Sequence, residues 1–212
     1  MANHPHQNPK IATAGAPLAS ASSAMILLHG RGASATGILD LARVLKKEGL
    51  HFIAPEASHH TWYPYRFIAP IAQNEPYLSS ALTIVDEQVG LLEEQGIPKH
   101  CIVIGGFSQG ACLASEYIAH HPARYGGLIA FSGGLIGPPD ELPDYQGSLE
   151  GTPAFLGCSD DDPHIPLSRV NETAEILEQL GARVNKSIYP NMGHTIVADE
   201  IKQAQLILDT LP

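Results

Sequence analysis

The sequence predicts an α/β domain with one mostly parallel sheet and helices packed on both of its faces. Three observations carry that prediction. Short apolar runs alternate along the chain with segments whose apolar residues recur every three or four positions, the strand–helix alternation that builds parallel sheets. The runs are apolar throughout, as strands covered on both faces are. Gly and Pro, 20 and 17 of the 212 residues, are scattered between these segments, where tight connections need them. A chain of this length accommodates one domain, and neither an internal repeat nor a linker divides it.

Each element has its own signal. Ala24 to Leu28 (AMILL) is a buried strand stopped by His29-Gly30-Arg31-Gly32. Ser34 or Thr36 then caps a helix that carries Ile38, Leu41, Ala42 and Leu45 at helical spacing, with Gly49 as its stop. His51 to Ala54 is the next strand. The stretch from Pro55 to Pro76 is too rich in Pro, His and aromatic residues for a regular element, and loops of such length are often functional. Leu78, Leu82, Val85, Val89 and Leu92 mark the clearest helix, Tyr77 to Gln95, ended by Gly96 and Pro98. Cys101 to Ile104 is a strand, Gly110 to His120 a helix, and Gly127 to Phe131 a strand that enters Ser132-Gly133-Gly134. After a Pro-rich loop over 137–151 come a strand at Pro153 to Gly157, a helix at Leu167 to Leu180, a strand at Arg183 to Tyr189 and a helix at Thr195 to Leu211. Residues 1–24 are expected to form a flexible segment or an edge strand, with His4 and His6 disordered.

Composition limits the function. With 44% hydrophobic and 16% charged residues the chain is too apolar for disorder, and no uninterrupted apolar run approaches the roughly 20 residues of a membrane span. The formal charge of −10 repels phosphate backbones and anionic membrane surfaces, which argues against nucleic acid as a partner and favours a small, neutral substrate. Cys101, Cys112 and Cys158 are odd in number and show no Cys-x-x-Cys spacing. Buried free thiols and a cytoplasmic location are therefore expected. No apolar h-region of a signal peptide precedes residue 24.

The chemistry gathers at the ends of the strands. Gly106-Phe107-Ser108-Gln109-Gly110 follows a strand and opens a helix, the setting of a nucleophile elbow, where small residues permit a sharp turn that exposes a serine hydroxyl. Ser108 is the candidate nucleophile, and the main-chain N–H of Gln109 is a candidate oxyanion donor. A serine needs a base, and the base needs a carboxylate to fix its tautomer. His194, after the last strand, is the candidate base. One of Asp160, Asp161 and Asp162, after the strand that ends at Gly157, is the candidate acid. The loop after the first apolar strand supplies the second oxyanion donor, the main-chain N–H of Arg31, whose side chain either points to the pocket or braces the loop. The run Trp62-Tyr63-Pro64-Tyr65-Arg66-Phe67 is a candidate for one wall of the substrate pocket, Trp62 and Tyr65 foremost.

Other polar residues have plainer readings. Asp160, Asp161, Asp162 and His164 with the His59-His60 and His120-His121 pairs make a poor metal site, since adjacent histidines rarely converge on one ion, and no metal or cofactor is expected. His29 is expected to order its loop by hydrogen bonding, and Cys112 to face the core.

The segments LLHGRGA at 27–33, GFSQGA at 106–111, DPHIP at 162–166 and YPNMGH at 189–194, taken together and in this order, resemble the phospholipase/carboxylesterase family of α/β-hydrolases, which includes acyl-protein thioesterases and small bacterial carboxylesterases. The resemblance runs from residue 25 to about 210. It implies an α/β-hydrolase fold, minimal and without a cap domain, and a serine hydrolase with the triad Ser108, Asp162 and His194. It selects Asp162 among the three aspartates, and it implies the main chain of Arg31 and Gln109 as the oxyanion hole. Acyl-protein thioesterases usually carry an apolar residue where this chain has Arg31, so the expected substrates are small or short-to-medium acyl esters. A long-chain thioesterase or lysophospholipase is the alternative, and a non-catalytic hydrolase-like binding protein a remote one. A pocket without a cap stands open or is shielded by a homodimer.

Overall fold

In the computed structural model, which describes residues 4–139 and 141–212, seven strands form one sheet in the order β1-β3-β2-β4-β5-β6-β7. They are β1 (Ile11–Gly15), β2 (Ser23–Leu28), β3 (Leu50–Pro55), β4 (Ile102–Phe107), β5 (Gly127–Phe131), β6 (Pro153–Ser159) and β7 (Arg183–Tyr189). All neighbouring pairs are parallel except the outer β1, which runs antiparallel to β3 from Ile11↔Pro55 to Gly15↔His51. The helices are α1 (Ala35–Ile38), α2 (Ile71–Asn74), α3 (Tyr77–Glu94), α4 (Gln109–His120), α5 (Leu167–Gln179) and α6 (Ala198–Leu208).

The unbroken apolar runs have a simple cause. Successive side chains of a strand point to opposite faces, and here both faces are covered. Ala24, Ile26 and Leu28 of β2 join a core with α3, α4 and α5, whereas Met25 and Leu27 join a second core under α1 and α6. Ile102 and Ile104 against Val103 in β4, and Leu128 and Ala130 against Ile129 and Phe131 in β5, divide in the same way. Each fully buried aliphatic or aromatic side chain contributes about 1.5–3 kcal/mol of transfer free energy, so the central strands anchor the loops at their C-terminal ends. Among the described residues no helix is long and apolar enough to cross a membrane. The three thiols are free and buried, as expected.

Three elements differ from expectation. The helix expected after Ser34 is a single turn, α1, capped by Ser34 Oγ, which accepts the Gly37 amide at 3.1 Å; a 3-10 turn over Leu39–Arg43 continues it and brings Leu45 into the core. A spacing of three fits that tighter winding as well as an α-helix. The last helix begins at Ala198 instead of Thr195, because the Glu200 side chain accepts the Val197 amide at 2.9 Å and leaves the preceding residues as a loop. Most unlike the sequence reading, His6 is ordered and buried. Its main-chain N–H donates to Ser80 Oγ at 3.1 Å, and its ring bridges the Ser58 amide, at 3.0 Å, and the Trp62 carbonyl, at 2.9 Å. His4 is exposed. Residues 1–3 of the N-terminal segment and residue 140 of the Pro-rich loop lie outside the described residues.

Glu200 has a measurable consequence. It is fully buried, with Oε1 unpartnered among the described residues and close to the main chain of Gly157. Burial pushes its pKa from the ordinary 4.5 up to about 7, against the opposing hydrogen bond from Val197. The native state therefore holds this proton more tightly than the unfolded chain. The stability it contributes is fully present below about pH 4.5 and is lost as the pH rises through about 7. Glu200→Gln keeps the shape and the acceptor for Val197, so its stability relative to wild type should rise by about 3 kcal/mol between about pH 5 and about pH 8 in urea unfolding. A difference that stays flat with pH would contradict this reading of Glu200.

Candidate active site

Ser108 stands between β4 and α4 with φ 55° and ψ −120°, a left-handed conformation that is costly for a residue with a side chain. The turn closes because its flanks are glycines. A Cβ on Gly106 would lie 2.4 Å from the Leu28 carbonyl oxygen, and one on Gly110 would lie 2.0 Å from the same atom. The Ser108 amide donates to the Phe131 carbonyl at 2.9 Å, which ties the elbow to β5.

Two loops from neighbouring strands meet the serine. His194 Nε2 lies 2.8 Å from Ser108 Oγ, and His194 Nδ1 lies 2.7 Å from Asp162 Oδ2. The imidazole is held from both sides, with the Phe107 ring at 4.8 Å and the His164 ring edge-on at 4.7 Å. The Asp162 side chain is fully buried, and its Oδ1 accepts the amides of His164 and Ile165 at 2.8 and 3.1 Å. With Oδ1 taken by the two amides and Oδ2 facing His194 Nδ1, where the Cys158 thiol also approaches at 3.9 Å, the carboxylate directs the His194 proton to Nδ1 and leaves Nε2 open toward the serine.

The other two aspartates serve the histidine loop. Asp160 Oδ1 accepts the Asn191 amide at 2.9 Å, and Asp161 Oδ1 accepts the Ser159 hydroxyl at 2.5 Å and the Gly193 amide at 3.3 Å. The Ser159 hydroxyl holds the Asp161 carboxyl below the ordinary carboxylate range, with help from Gly193. Ser159 Oγ also accepts the amides of Met192 and Gly193 at 3.0 and 3.1 Å. The β6 turn thus fixes the β7 turn, and with it the height of His194.

The loop after β2 lies close to the serine: a Cβ on Gly30 would sit 3.5 Å from that of Ser108. Among the described residues no acceptor takes the amide of Arg31 or of Gln109, the first residue of α4. Their side chains are occupied elsewhere. Arg31 donates to the carbonyls of Pro64, Tyr63 and Tyr65 at 2.9, 2.8 and 2.6 Å, so it braces the long loop. Gln109 Oε1 accepts the Trp62 amide at 2.9 Å and its Nε2 donates to the Tyr63 carbonyl at 2.8 Å.

These groups open on a cavity of about 600 Å³, within the range of small-molecule sites. Tyr65 lines it and is half exposed, whereas Trp62 does not reach it. The expectation for Trp62 is corrected by its own polar atom: the indole N–H donates to the His29 carbonyl at 2.9 Å, and the ring packs, fully buried, against His29 and His6. His29 orders the loop, its Nε2 accepting the Ala57 amide at 3.0 Å and its Nδ1 donating to the Gly30 carbonyl at 2.8 Å. Burial holds its pKa below the ordinary value. Cys112 is buried but also borders the cavity, with its thiol pushed up to about 12 by desolvation. Tyr63, Pro64, Arg66 and Phe67, of the same loop as Tyr65, line the cavity as well, and Ile165, a loop residue without a periodic signal, adds a contact that the sequence reading missed. Among the described residues no cluster of three or more His, Cys, Asp or Glu has metal-binding geometry.

The arrangement is similar to known proteins over nearly its whole length. A family model described as phospholipase/carboxylesterase matches residues 9–211. A crystal structure of a phospholipase/carboxylesterase from Dyadobacter fermentans superposes with a TM-score of 0.91 at 46% identity, over 95% of this chain and 97% of that one. Acyl-protein thioesterase 1 of Debaryomyces hansenii is 27% identical over 217 residues, 89% of this chain and 91% of the relative. The Bacillus cereus carboxylesterase, at 19% identity, TM-score 0.75 and coverage of 96% and 94%, shares the fold.

Proposed function

Because the chain belongs to the phospholipase/carboxylesterase family and is a hydrolase of the α/β-hydrolase fold, we propose that it cleaves carboxylic esters of small or short-to-medium acyl groups through an acyl-enzyme on Ser108. The observation that carries the proposal is the Asp162–His194–Ser108 hydrogen-bond chain, 2.7 and 2.8 Å, at the edge of the cavity.

Ser108 Oγ attacks the ester carbonyl carbon while its proton passes to His194 Nε2. Asp162 stabilises the imidazolium that forms and stays ionised. The carbonyl oxygen, now an anion, accepts the amides of Arg31 and Gln109, each worth about 3–4 kcal/mol in the transition state. Collapse breaks the bond to the leaving oxygen, which takes the proton from His194 and departs as the alcohol. A water then repeats the sequence on the acyl-enzyme: its proton goes to His194, its oxygen bonds the acyl carbon, and Ser108 Oγ leaves with the proton returned. The elbow's strained geometry supports this role, because it holds the oxygen in place before substrate arrives.

A fluorophosphonate probe is expected to label wild type at Ser108 and to leave Ser108→Ala unlabelled. Equal labelling of the two would remove Ser108 from the mechanism. Long acyl thioesters are the competing substrates, favoured by the curated relatives named as acyl-protein thioesterases. A palmitoyl chain calls for a continuous apolar groove, whereas the lining of this cavity includes two charged residues, Arg31 and Arg66. Across acetyl, butyryl, octanoyl and palmitoyl aryl esters, kcat/KM should peak at or before octanoyl. A rise through palmitoyl would transfer the assignment to long-chain substrates.

A further inference from the structure

The cavity beside Ser108 carries charge of one sign. Among the described residues its lining includes Arg31 and Arg66 and no aspartate or glutamate, although the chain has 22 acidic residues against 12 basic ones. Cys112 and Tyr63, which also line it, are buried groups whose pKa values desolvation pushes upward, so neither contributes an anion near neutral pH. The Asp162 carboxylate lies behind His194 and is taken up by three N–H groups.

The two arginines are held differently. The fork of Arg31 is spent on three main-chain carbonyls, dipoles that fix the guanidinium without cancelling its charge. Arg66 is fixed through its backbone. The fully buried Asn74 donates to the Arg66 carbonyl at 3.2 Å and accepts the amide of the preceding Tyr65 at 2.9 Å. Among the described residues the side chain of Arg66, an exposed residue in the lining of the cavity, has no hydrogen-bond or ion-pair partner. A backbone held by Asn74 thus places beside the space where an ester is to be cleaved a planar cation that has no partner among the described residues, with a second positive charge in the same lining.

We infer that Arg66 binds a carboxylate carried by the substrate, with the charge of Arg31 in support, so that the preferred esters are those whose non-reacting end is a single anion. Half-esters of dicarboxylic acids are the simplest members of this class. The inference rests on the ester-hydrolase reading and narrows it. One guanidinium matches one negative charge in the bidentate geometry that arginine offers a carboxylate. It also revises the neutral substrate expected from the overall charge: the total of −10 acts at long range and is screened beyond about 8–10 Å, whereas a bound ester meets the local sign of the cavity.

The test is a ratio of kcat/KM values for matched pairs, each corrected for spontaneous hydrolysis. The mono-4-nitrophenyl ester of glutaric acid is compared with 4-nitrophenyl pentanoate, which places the carboxylate on the acyl side. 4-Butyryloxybenzoate is compared with 4-methylphenyl butyrate, which places it on the leaving group. Wild type should favour the anion about tenfold in at least one pair, and the preference should shrink in high salt, as charge pairing does. Arg66→Gln should bring that ratio down about tenfold, and Arg66→Lys should recover part of it. A wild-type ratio of one or less in both pairs, or a ratio untouched by Arg66→Gln, overturns the inference. Turnover of the neutral esters in that case leaves the hydrolase reading standing. Failure to hydrolyse any of the four esters overturns both.

Discussion

Ser108→Ala should lower kcat for an aryl ester by about 10⁵- to 10⁶-fold, the size of loss that removal of a triad serine produces. Without the hydroxyl no acyl-enzyme forms, and what remains is attack by water assisted by the Arg31 and Gln109 amides. The fold should be indifferent to the change. Among the described residues Ser108 Oγ has one hydrogen-bond partner, His194 Nε2, and the turn depends on the glycines beside it and on the Ser108 main chain. The variant should therefore unfold within about 1 kcal/mol of wild type, as substitutions that leave packing and buried polar groups unchanged do. A loss of less than about a hundredfold in an otherwise stable variant would mean that another nucleophile does the chemistry.

Asp162→Asn should cost about 10⁴-fold in kcat. The amide can keep Oδ1 as the acceptor for His164 and Ile165, so the loop should hold its shape. At the Oδ2 position, however, an –NH₂ would face His194 Nδ1 at 2.7 Å. Two donors cannot share that contact, so the imidazole is driven to carry its proton on Nε2, where it no longer accepts from Ser108. Asp160→Asn and Asp161→Asn provide the comparison. Their carboxylates bind main-chain amides and the Ser159 hydroxyl and never touch the ring. If either one lowers kcat as much as Asp162→Asn, the loss comes from misplacing the loop and not from the tautomer.

What the sequence discloses follows from the range of the interactions. Strands β2, β4, β5 and β6 are legible because burial on both faces leaves an unbroken apolar run. Ser108 and His194 are legible because each follows directly from such a strand or its neighbour. The structure brings them together with Asp162 in the order the motifs imply. The aspartate itself depends on turn geometry: three consecutive carboxylates differ only in direction, and composition says nothing of direction. Trp62 and His6 misled for a related reason. An aromatic residue in a polar loop looks like a pocket wall, and a histidine near a chain terminus looks disordered, until the partners are known. Those partners, His29 for Trp62 and Ser80 for His6, come from sequence-distant elements. That the Arg66 guanidinium has no partner among the described residues is likewise a property of what surrounds it, which no local pattern records.

The side chains of Arg31 and Gln109 hold the segment from Trp62 to Tyr65, while their amides, the proposed oxyanion hole, have no acceptor among the described residues. Substrate range and rate are consequently written in the same two residues. A lineage that alters this segment to admit a new ester also shifts the donors that stabilise the reaction, and it has to readjust positions 31 and 109 to regain speed. Descendants with new specificities should show paired changes there, and transplanting the segment alone should yield a slow enzyme for either substrate.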